Sequence, residues 1–105
     1  MKEVELQRHV LEFLKLSRVF AWRNNTRTVW VGGRPIKFGY EGSGDILGIL
    51  PGSGRFLSIE LKTPKGTTKK SRAILQESFR KQVNKAGGLA IVARSVEDVV
   101  EALKK

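Results

Sequence analysis

Residues 44–62 decide the fold of this chain, and their sequence is GDILGILPGSGRFLSIELK. Two apolar, partly β-branched runs, at 44–50 and 55–62, are separated by the Pro/Gly-rich tetrapeptide 51–54. Runs of this length on either side of a short group of turn residues indicate two strands joined as a β-hairpin. We expect this hairpin to organise the sheet around it.

A strand register follows from the length of the turn. If Leu50 faces Arg55 across a four-residue loop, the numbers of paired residues sum to 105, and Asp45 lies opposite Glu60. Directly opposed residues have Cβ atoms about 4.5–5.5 Å apart, and like charges at that separation destabilise the pair. A positive charge is therefore expected between the two carboxylates.

The second strand of the hairpin has two chemically different faces. Side chains alternate along a strand, so the aliphatic residues at 57–61 share a core face, while Glu60 and Lys62 share the other. Mg²⁺ takes carboxylate and carbonyl oxygens and keeps several waters, and Asp45, Glu60 and the Leu61 carbonyl provide such oxygens. Lys62 can then orient or help to deprotonate a water at the metal, or balance charge on a phosphate. The alternative is that Asp45 begins a strand beside a turn and that Glu60 and Lys62 form an ordinary solvated strand face.

Short motifs in and around the hairpin point to a family. They are Gly44-Asp45, Glu60-Leu61-Lys62 and Thr63-Pro64-Lys65-Gly66, accompanied elsewhere by Glu3, Gln7, Arg23-Asn24-Asn25, Gln76 and Gly87-Gly88. Over nearly the whole chain these residues resemble the PD-(D/E)xK nuclease superfamily, most closely its virus-type replication-repair nuclease (VRR-NUC) branch. Gly44 stands where the superfamily has proline, a substitution common in that branch. The resemblance implies a restriction-endonuclease-like fold and a DNA nuclease that depends on Mg²⁺ or Mn²⁺, of the stand-alone phage or bacterial type.

Two residues outside the hairpin join the expected site through this resemblance. Residues 2–16 have the apolar spacing of a helix, and Glu3 falls near the centre of its apolar stripe whereas Glu5 falls on another flank. The resemblance implies that Glu3 helps to complete the water shell of the metal and that Gln76 supports the site. The alternatives are that Glu3 is an acid favoured by the helix dipole and that Gln76 is a surface residue. The expected catalytic residues are Asp45, Glu60, Lys62, Gln76 and Glu3, and the expected metal ligands are Asp45, Glu60 and Leu61.

The remaining segments complete an α/β fold in one domain, 1–105. Apolar spacing predicts further strands at 19–22, 28–31, 34–38 and 89–93 and a last helix with Ser95 as its N-cap. It also predicts a helix over 73–86 with Leu75, Phe79, Val83 and Ala86 inward. Trp22 is expected in the core, and Gly32-Gly33 is expected to form a two-residue hairpin turn. The order is α-β-β-β-β-β-α-β-α, a mixed β-sheet flanked by helices. Its β-α-β unit, from the strand of Glu60 to residue 93, is expected to be parallel and right-handed.

Composition points to a polyanionic partner. The chain has 20 Lys and Arg against 10 Asp and Glu, a net charge of +10 and a pI near 10.4. The alternative is that these are solubilising residues of solvated loops, but they cluster, which favours contact with the DNA backbone. The expected DNA-binding residues are Arg23, Arg27, Arg34 and Lys37 around Trp30, and Lys65, Lys69, Lys70 and Arg72 after the hairpin.

Other features limit the expected cellular location and the expected type of DNA substrate. The chain has no cysteine, no apolar run near the roughly 20 residues of a membrane span and no signal-peptide pattern, so we expect a cytoplasmic protein without a membrane partner. Such a small surface favours recognition of DNA shape over base sequence. We expect a structure-specific endonuclease acting on branched DNA such as four-way (Holliday) junctions, as a homodimer with two sites on one junction. The alternatives are a flap or nicking nuclease and a non-catalytic, basic nucleic-acid-binding module.

Overall fold

A computed structural model describes residues 1–64 and 66–104 of the chain. Within these residues there are three helices and six strands, in the predicted order α-β-β-β-β-β-α-β-α. The elements are α1 (Glu3–Leu16), β1 (Phe20–Arg23), β2 (Arg27–Val31), β3 (Arg34–Phe38), β4 (Ile46–Ile49), β5 (Phe56–Leu61), α2 (Lys70–Lys85), β6 (Leu89–Ala93) and α3 (Val96–Leu103).

Four strands form the central sheet, in the order β1-β4-β5-β6. β4 is antiparallel to both β1 and β5, whereas β5 and β6 are parallel, so the sheet is mixed as predicted. The register of the central hairpin is also confirmed: Ile46 pairs with Ile59 and Ile49 with Phe56. This register brings the start of β4 beside the end of β5, which is where the candidate site forms.

The hydrophobic core lies on the aliphatic face of β5. Leu57 and Ile59 are fully buried and Leu61 is 2% exposed. They belong to one apolar cluster with residues of α1, such as Val10, and with Val99 of α3. Because side chains alternate along β5, Glu60 projects away from this core, and α2 packs against β5 and β6. One face of β5 therefore packs in the hydrophobic core, and the other face carries Glu60 toward the candidate site.

The strands β2 and β3 form a separate two-stranded ribbon. Within the described part of the chain they pair only with each other, with Trp30 opposite Pro35. Gly32 and Gly33 have φ values of 58° and 76°, and positive φ at both central positions is what a type I′ hairpin turn requires. The Gly-Gly turn is therefore confirmed. Pro35 has no backbone N–H to donate, and within the described residues its strand has no second neighbouring strand that would need this hydrogen bond.

Three packing predictions are wrong. Trp22 is 41% exposed, because β1 is an edge strand of the sheet, and its ring packs on Phe20 with centroids 5.2 Å apart. Leu75 is 43% exposed and Ala86 is exposed as well, because α2 turns a different face to the sheet. Among the described residues of α2 only Gln76 is buried, and it lies about 100° around the helix from Leu75.

The ends of the helices agree better with expectation. Ser95 caps α3 by accepting a hydrogen bond from the backbone N–H of Asp98 at 3.2 Å, as predicted. The second helix begins at Lys70, three residues before the predicted start at 73. Every helix in the described ranges is too short or too polar to traverse a lipid bilayer.

Candidate active site

A cavity of about 380 Å³ opens where β4 begins and β5 ends. The start of α1, the first turns of α2 and the loop after β5 complete its walls. All five predicted catalytic residues line this one cavity, together with the predicted ligand Leu61. These residues are Glu3, Asp45, Glu60, Leu61, Lys62 and Gln76.

Asp45 is held from both sides by backbone groups. Its Oδ2 accepts a hydrogen bond from the Leu61 N–H at 2.7 Å, and its carbonyl oxygen accepts one from the Asn24 N–H at 2.8 Å. The Asn24 side chain also donates to the Gly44 carbonyl at 2.9 Å and to Ser43 Oγ at 2.7 Å. The carboxylate is thus fixed relative to β5 before any ligand arrives, and Asn24 acts on it through the backbone.

Gly44 allows this close approach to β5. Its N–H donates to the buried Ser58 Oγ at 3.1 Å. A Cβ at position 44 would lie 2.5 Å from Ser58 Oγ and 2.7 Å from the carbonyl oxygen of Ile59. Glycine is therefore the residue that lets the segment before Asp45 lie directly on the strand that carries Glu60.

Glu60 is a buried carboxyl group next to a second one. It is 6% exposed. Burial, and then the neighbouring Asp45 carboxylate, raise the pKa of Glu60 to about 8, while Lys62 and Arg72 oppose the shift. Both causes act because a charged carboxylate is costly in a low-dielectric site beside another negative charge. The pair therefore favours a cation that would lie between the two groups.

Lys62 is held beside this pair. Its Nζ lies 4.0 Å from Glu60 Oε2, and it donates hydrogen bonds to Thr68 Oγ1 at 2.6 Å and to Gln76 Oε1 at 3.0 Å. Gln76 is 4% exposed, so the alternative of a surface residue does not hold. Two neutral oxygens thus orient the ammonium group and leave its charge available to the cavity.

The two glutamates of the first helical turn are placed differently. Glu3 lines the cavity, whereas Glu5 lines a neighbouring depression with Thr63 and Pro64. Both side chains are exposed. Glu3 is therefore the acid of α1 at the rim of the site, consistent with its choice over Glu5.

The predicted DNA-binding residues fall into three groups. Lys69 and Arg72 line the cavity of the carboxylates. Arg27 and Lys37 line an adjoining cavity of about 220 Å³, whose lining shares Arg72 and Gln76 with the first. The others are spread out: Arg23 at the end of β1, Arg34 at the tip of the ribbon and Lys70 at the start of α2 are all exposed, and Lys65 lies outside the described residues.

The oxygen donors of the cavity suit Mg²⁺ better than a metal ion that takes all of its ligands from the protein. Residues 1–64 and 66–104 contain no group of three His, Cys, Asp or Glu side chains able to hold an ion. Asp45, Glu60 and the Leu61 carbonyl offer hard oxygen donors. The two carboxyl groups lie side by side, and a cation between them would offset the burial and repulsion that raise the pKa of Glu60. Mg²⁺ usually binds through one or two carboxylates and keeps waters or phosphate oxygens in its other positions. The residues present therefore fit this ion.

Three positioning residues were not predicted to serve the site. Ser58 has a signal in the sequence, because it lies two residues before Glu60 on the same strand face. Asn24 and Thr68 lie in irregular segments, where no periodicity indicates the direction of a side chain. Their roles become apparent only from their contacts with Gly44, Asp45 and Lys62.

Comparison with known proteins adds no relative to this picture. No protein-family model matches the chain, and no curated protein matches its sequence. The function of the chain is therefore inferred from the residues of the cavity.

Proposed function

We propose that this chain is a metal-dependent, structure-specific DNA endonuclease that hydrolyses phosphodiester bonds in branched DNA such as four-way (Holliday) junctions. One observation carries the proposal. Asp45, Glu60 and Lys62 line the same cavity, and the Lys62 ammonium is oriented by the buried Gln76. Two adjacent carboxylates with a fixed ammonium beside them are suited to binding a divalent ion and a phosphate together.

The proposal includes membership of the VRR-NUC branch and the restriction-endonuclease-like fold. The element order, the mixed sheet and the hairpin register support it. The departure at Gly44 has a physical reason in this chain, because any side chain there would meet the backbone of Ile59. Glycine in place of the proline of the superfamily is therefore compatible with the proposed site.

Each residue of the cavity has a distinct part in the proposed reaction. Asp45, Glu60 and the Leu61 carbonyl would hold Mg²⁺ or Mn²⁺, which supplies Lewis acidity toward a phosphate oxygen and an attacking water. The Lys62 ammonium would offset charge on the phosphate or orient the attacking water. Gln76 is a positioning residue that acts through Lys62. Glu3, at the rim, accepts hydrogen bonds from waters that enter with the ion.

The charge distribution supports DNA as the partner. Arg72 lies between the two adjoining cavities, so a phosphate backbone that crosses the site can follow Lys69, Arg72 and Arg27 in turn. Such contacts are salt-dependent and read no bases. A homodimer with two-fold symmetry would present two sites to the two opposed strands of a junction. A substrate of this kind also implies an intracellular, cytoplasmic place of action.

Separate measurements of binding and cutting test the proposal. Asp45→Ala, Glu60→Ala and Lys62→Ala should each abolish cleavage while binding to DNA changes little. Glu77→Ala is a matched control, because Glu77 is an exposed acid of α2 that pairs with Lys81 at 3.3 Å. Full cleavage by Asp45→Ala would refute the proposed site.

A substrate panel decides between the forms of this activity. Labelled junction, flap and linear duplex DNA should be cut in the presence of Mg²⁺ or Mn²⁺, with the junction preferred. Light scattering should give a dimer at micromolar concentration, whereas a monomer that cuts flaps would favour flap or nicking activity. Tight binding without cutting under all metal conditions would instead indicate a non-catalytic binding module.

A further inference from the structure

We propose that the β2–β3 ribbon is a wedge that inserts Trp30 at an unstacked base step of branched DNA. This inference rests on the proposed function, because it names the feature of the DNA that the same protein selects. Its observations, however, lie outside the cavity of the carboxylates. They concern the exposure, charge and attachment of residues 27–38.

The ribbon exposes an unusual amount of apolar surface. Trp30 is 69% exposed, Val31 56%, Phe38 49% and Ile36 42%. Trp30 lies on one face of the ribbon with Pro35, whereas Val31, Ile36 and Phe38 lie on the other face. Exposed apolar surface of this extent on a small protein marks an interaction site. The ribbon also carries no aspartate or glutamate. Its three charged residues are all basic, Arg27, Arg34 and Lys37, and Lys37 forms an exposed ion pair with Glu41, which follows the ribbon.

This charge pattern favours a polyanion over a second copy of the chain as the binding partner of the ribbon. A two-fold interface brings the same patch of both subunits together, so Arg27 and Arg34, which share a face of the ribbon, would approach the same residues of the other copy. A nucleic acid instead brings phosphates to these residues. Trp30, on the other face, then meets the bases.

Trp30 is exposed near the end of the ribbon, where its ring can enter between bases. It pairs with Pro35, and paired residues of an antiparallel ribbon share a face. The rigid Pro35 lies directly across the ribbon from Trp30, and the type I′ turn at Gly32 and Gly33 closes the ribbon one residue pair beyond them. Apolar side chains that enter between base steps unstack them and kink the duplex. A branch point supplies a step that is already unstacked, so insertion there costs less.

The base of the ribbon is fixed beside the candidate active site. Arg27 and Phe38, its first and last paired residues, line the cavity that adjoins the site and includes Arg72 of α2. Gly42, just after the ribbon, approaches α2 so closely that a Cβ there would lie 2.4 Å from the Leu75 carbonyl oxygen. Three residues at about 3.4 Å each place Trp30 about 10 Å from Arg27. A wedge at this distance reaches the same DNA whose backbone crosses the site.

Tryptophan fluorescence tests the insertion directly. The chain has two tryptophans, so Trp22→Phe leaves Trp30 as the single reporter. In metal-free buffer, where no cutting is expected, a four-way junction should quench Trp30 emission strongly. A linear duplex of the same sequences should quench it several-fold less.

Binding measurements provide a second test that does not need the Trp22→Phe background. Stacking of a base on an aromatic ring corresponds to about 5- to 150-fold in affinity, so Trp30→Ala should weaken junction binding by this order and duplex binding by much less. Trp30→Phe should keep most of the preference. Val31→Ala is the matched control, because Val31 is an exposed apolar residue on the opposite face of the ribbon and should change neither affinity.

The possible results distinguish insertion of Trp30 into DNA from the proposed nuclease activity. Junction-selective quenching without cutting under any metal condition would support the wedge and count against the nuclease. Metal-dependent cutting with an unchanged junction preference in Trp30→Ala would overturn the wedge and leave the nuclease standing. Equal quenching by junction and duplex would also overturn the wedge. So would conversion of a dimer to a monomer by Trp30→Ala without DNA, because the ribbon would then be an interface between copies.

Discussion

Replacing Gly44 with alanine should push the segment of Asp45 away from β5. The added Cβ would lie 2.5 Å from Ser58 Oγ, 2.7 Å from the Ile59 carbonyl oxygen and 2.8 Å from the Ile59 carbonyl carbon. Two of these three atoms belong to the backbone of a fully buried residue. A side-chain rotation therefore cannot relieve the contact, and the two chain segments must separate.

The size of the effect follows from two opposing terms. Inserting a methyl group into a well-packed site destabilises a protein by about 1–3 kcal/mol. Alanine also reduces the entropy of the unfolded chain, which stabilises by about 0.4–1 kcal/mol. The midpoints of the two ranges leave a net loss of about 1.3 kcal/mol, which in a domain of this size corresponds to a fall in Tm of roughly 5–10 °C.

Thermal unfolding followed by circular dichroism measures this loss. The test is made in the wild-type and in the Ser58→Ala background. Ser58→Ala removes the nearest atom but not the Ile59 carbonyl, so Gly44→Ala should still lower Tm there, by a smaller amount. Cleavage should fall in parallel, because the shift weakens the hydrogen bond from the Leu61 N–H to Asp45. An unchanged or higher Tm for Gly44→Ala would refute the close approach on which the geometry of the site depends.

Three further predictions concern the cavity itself. Gln76→Leu removes the buried one of the two acceptors of the Lys62 ammonium, so it should lower the free energy of unfolding by about 1–3 kcal/mol and slow cleavage at least about tenfold. Gln82→Leu, at an exposed position of the same helix, should do neither, and equal effects of the two would contradict the role of Gln76. The pKa of Glu60 is raised from 4.5 to about 8 in the folded chain, so without metal the associated stability is fully present below pH 4.5 and is lost as the pH rises through about 8. The Tm of the wild type should therefore fall relative to that of Glu60→Gln between about pH 5 and 9, and parallel curves would count against the shift. Mg²⁺ at ten times its Kd should stabilise the wild type by about 1.4 kcal/mol, and Asp45→Asn should remove this effect; equal stabilisation of both proteins would exclude Asp45 as a ligand.

The parts of the fold that sequence predicts best are those fixed by local rules. A four-residue break between the two strands predicts that Leu50 faces Arg55, and the register that follows from this pairing is observed. Alternation along β5 keeps its aliphatic residues on a single face. The same alternation brings Glu60 and Lys62 to the opposite face. The parallel pairing of β5 with β6 follows from the intervening helix.

The remaining features depend on how elements meet. The exposure of Trp22 follows from the edge position of β1, and the sequence of that strand does not reveal its neighbours. The burial of Gln76 depends on the rotation of α2 against the sheet, which brings a polar residue to the interior because Lys62 is there to donate to it. Thr68 lies in a loop without periodicity, so only its 2.6 Å contact with Lys62 identifies it.

Cleavage of a labelled four-way junction by the wild type and by Glu60→Gln, with Mg²⁺ and with EDTA, tests the central claim most directly. Glutamine keeps the size of the buried side chain but removes its ability to carry negative charge. We expect the wild type to cut only with Mg²⁺ and Glu60→Gln to bind the junction without cutting it. Equal cutting by the two proteins, cutting by the wild type in EDTA, or binding by the wild type that never leads to cutting would rule out a metal-dependent nuclease that uses Glu60.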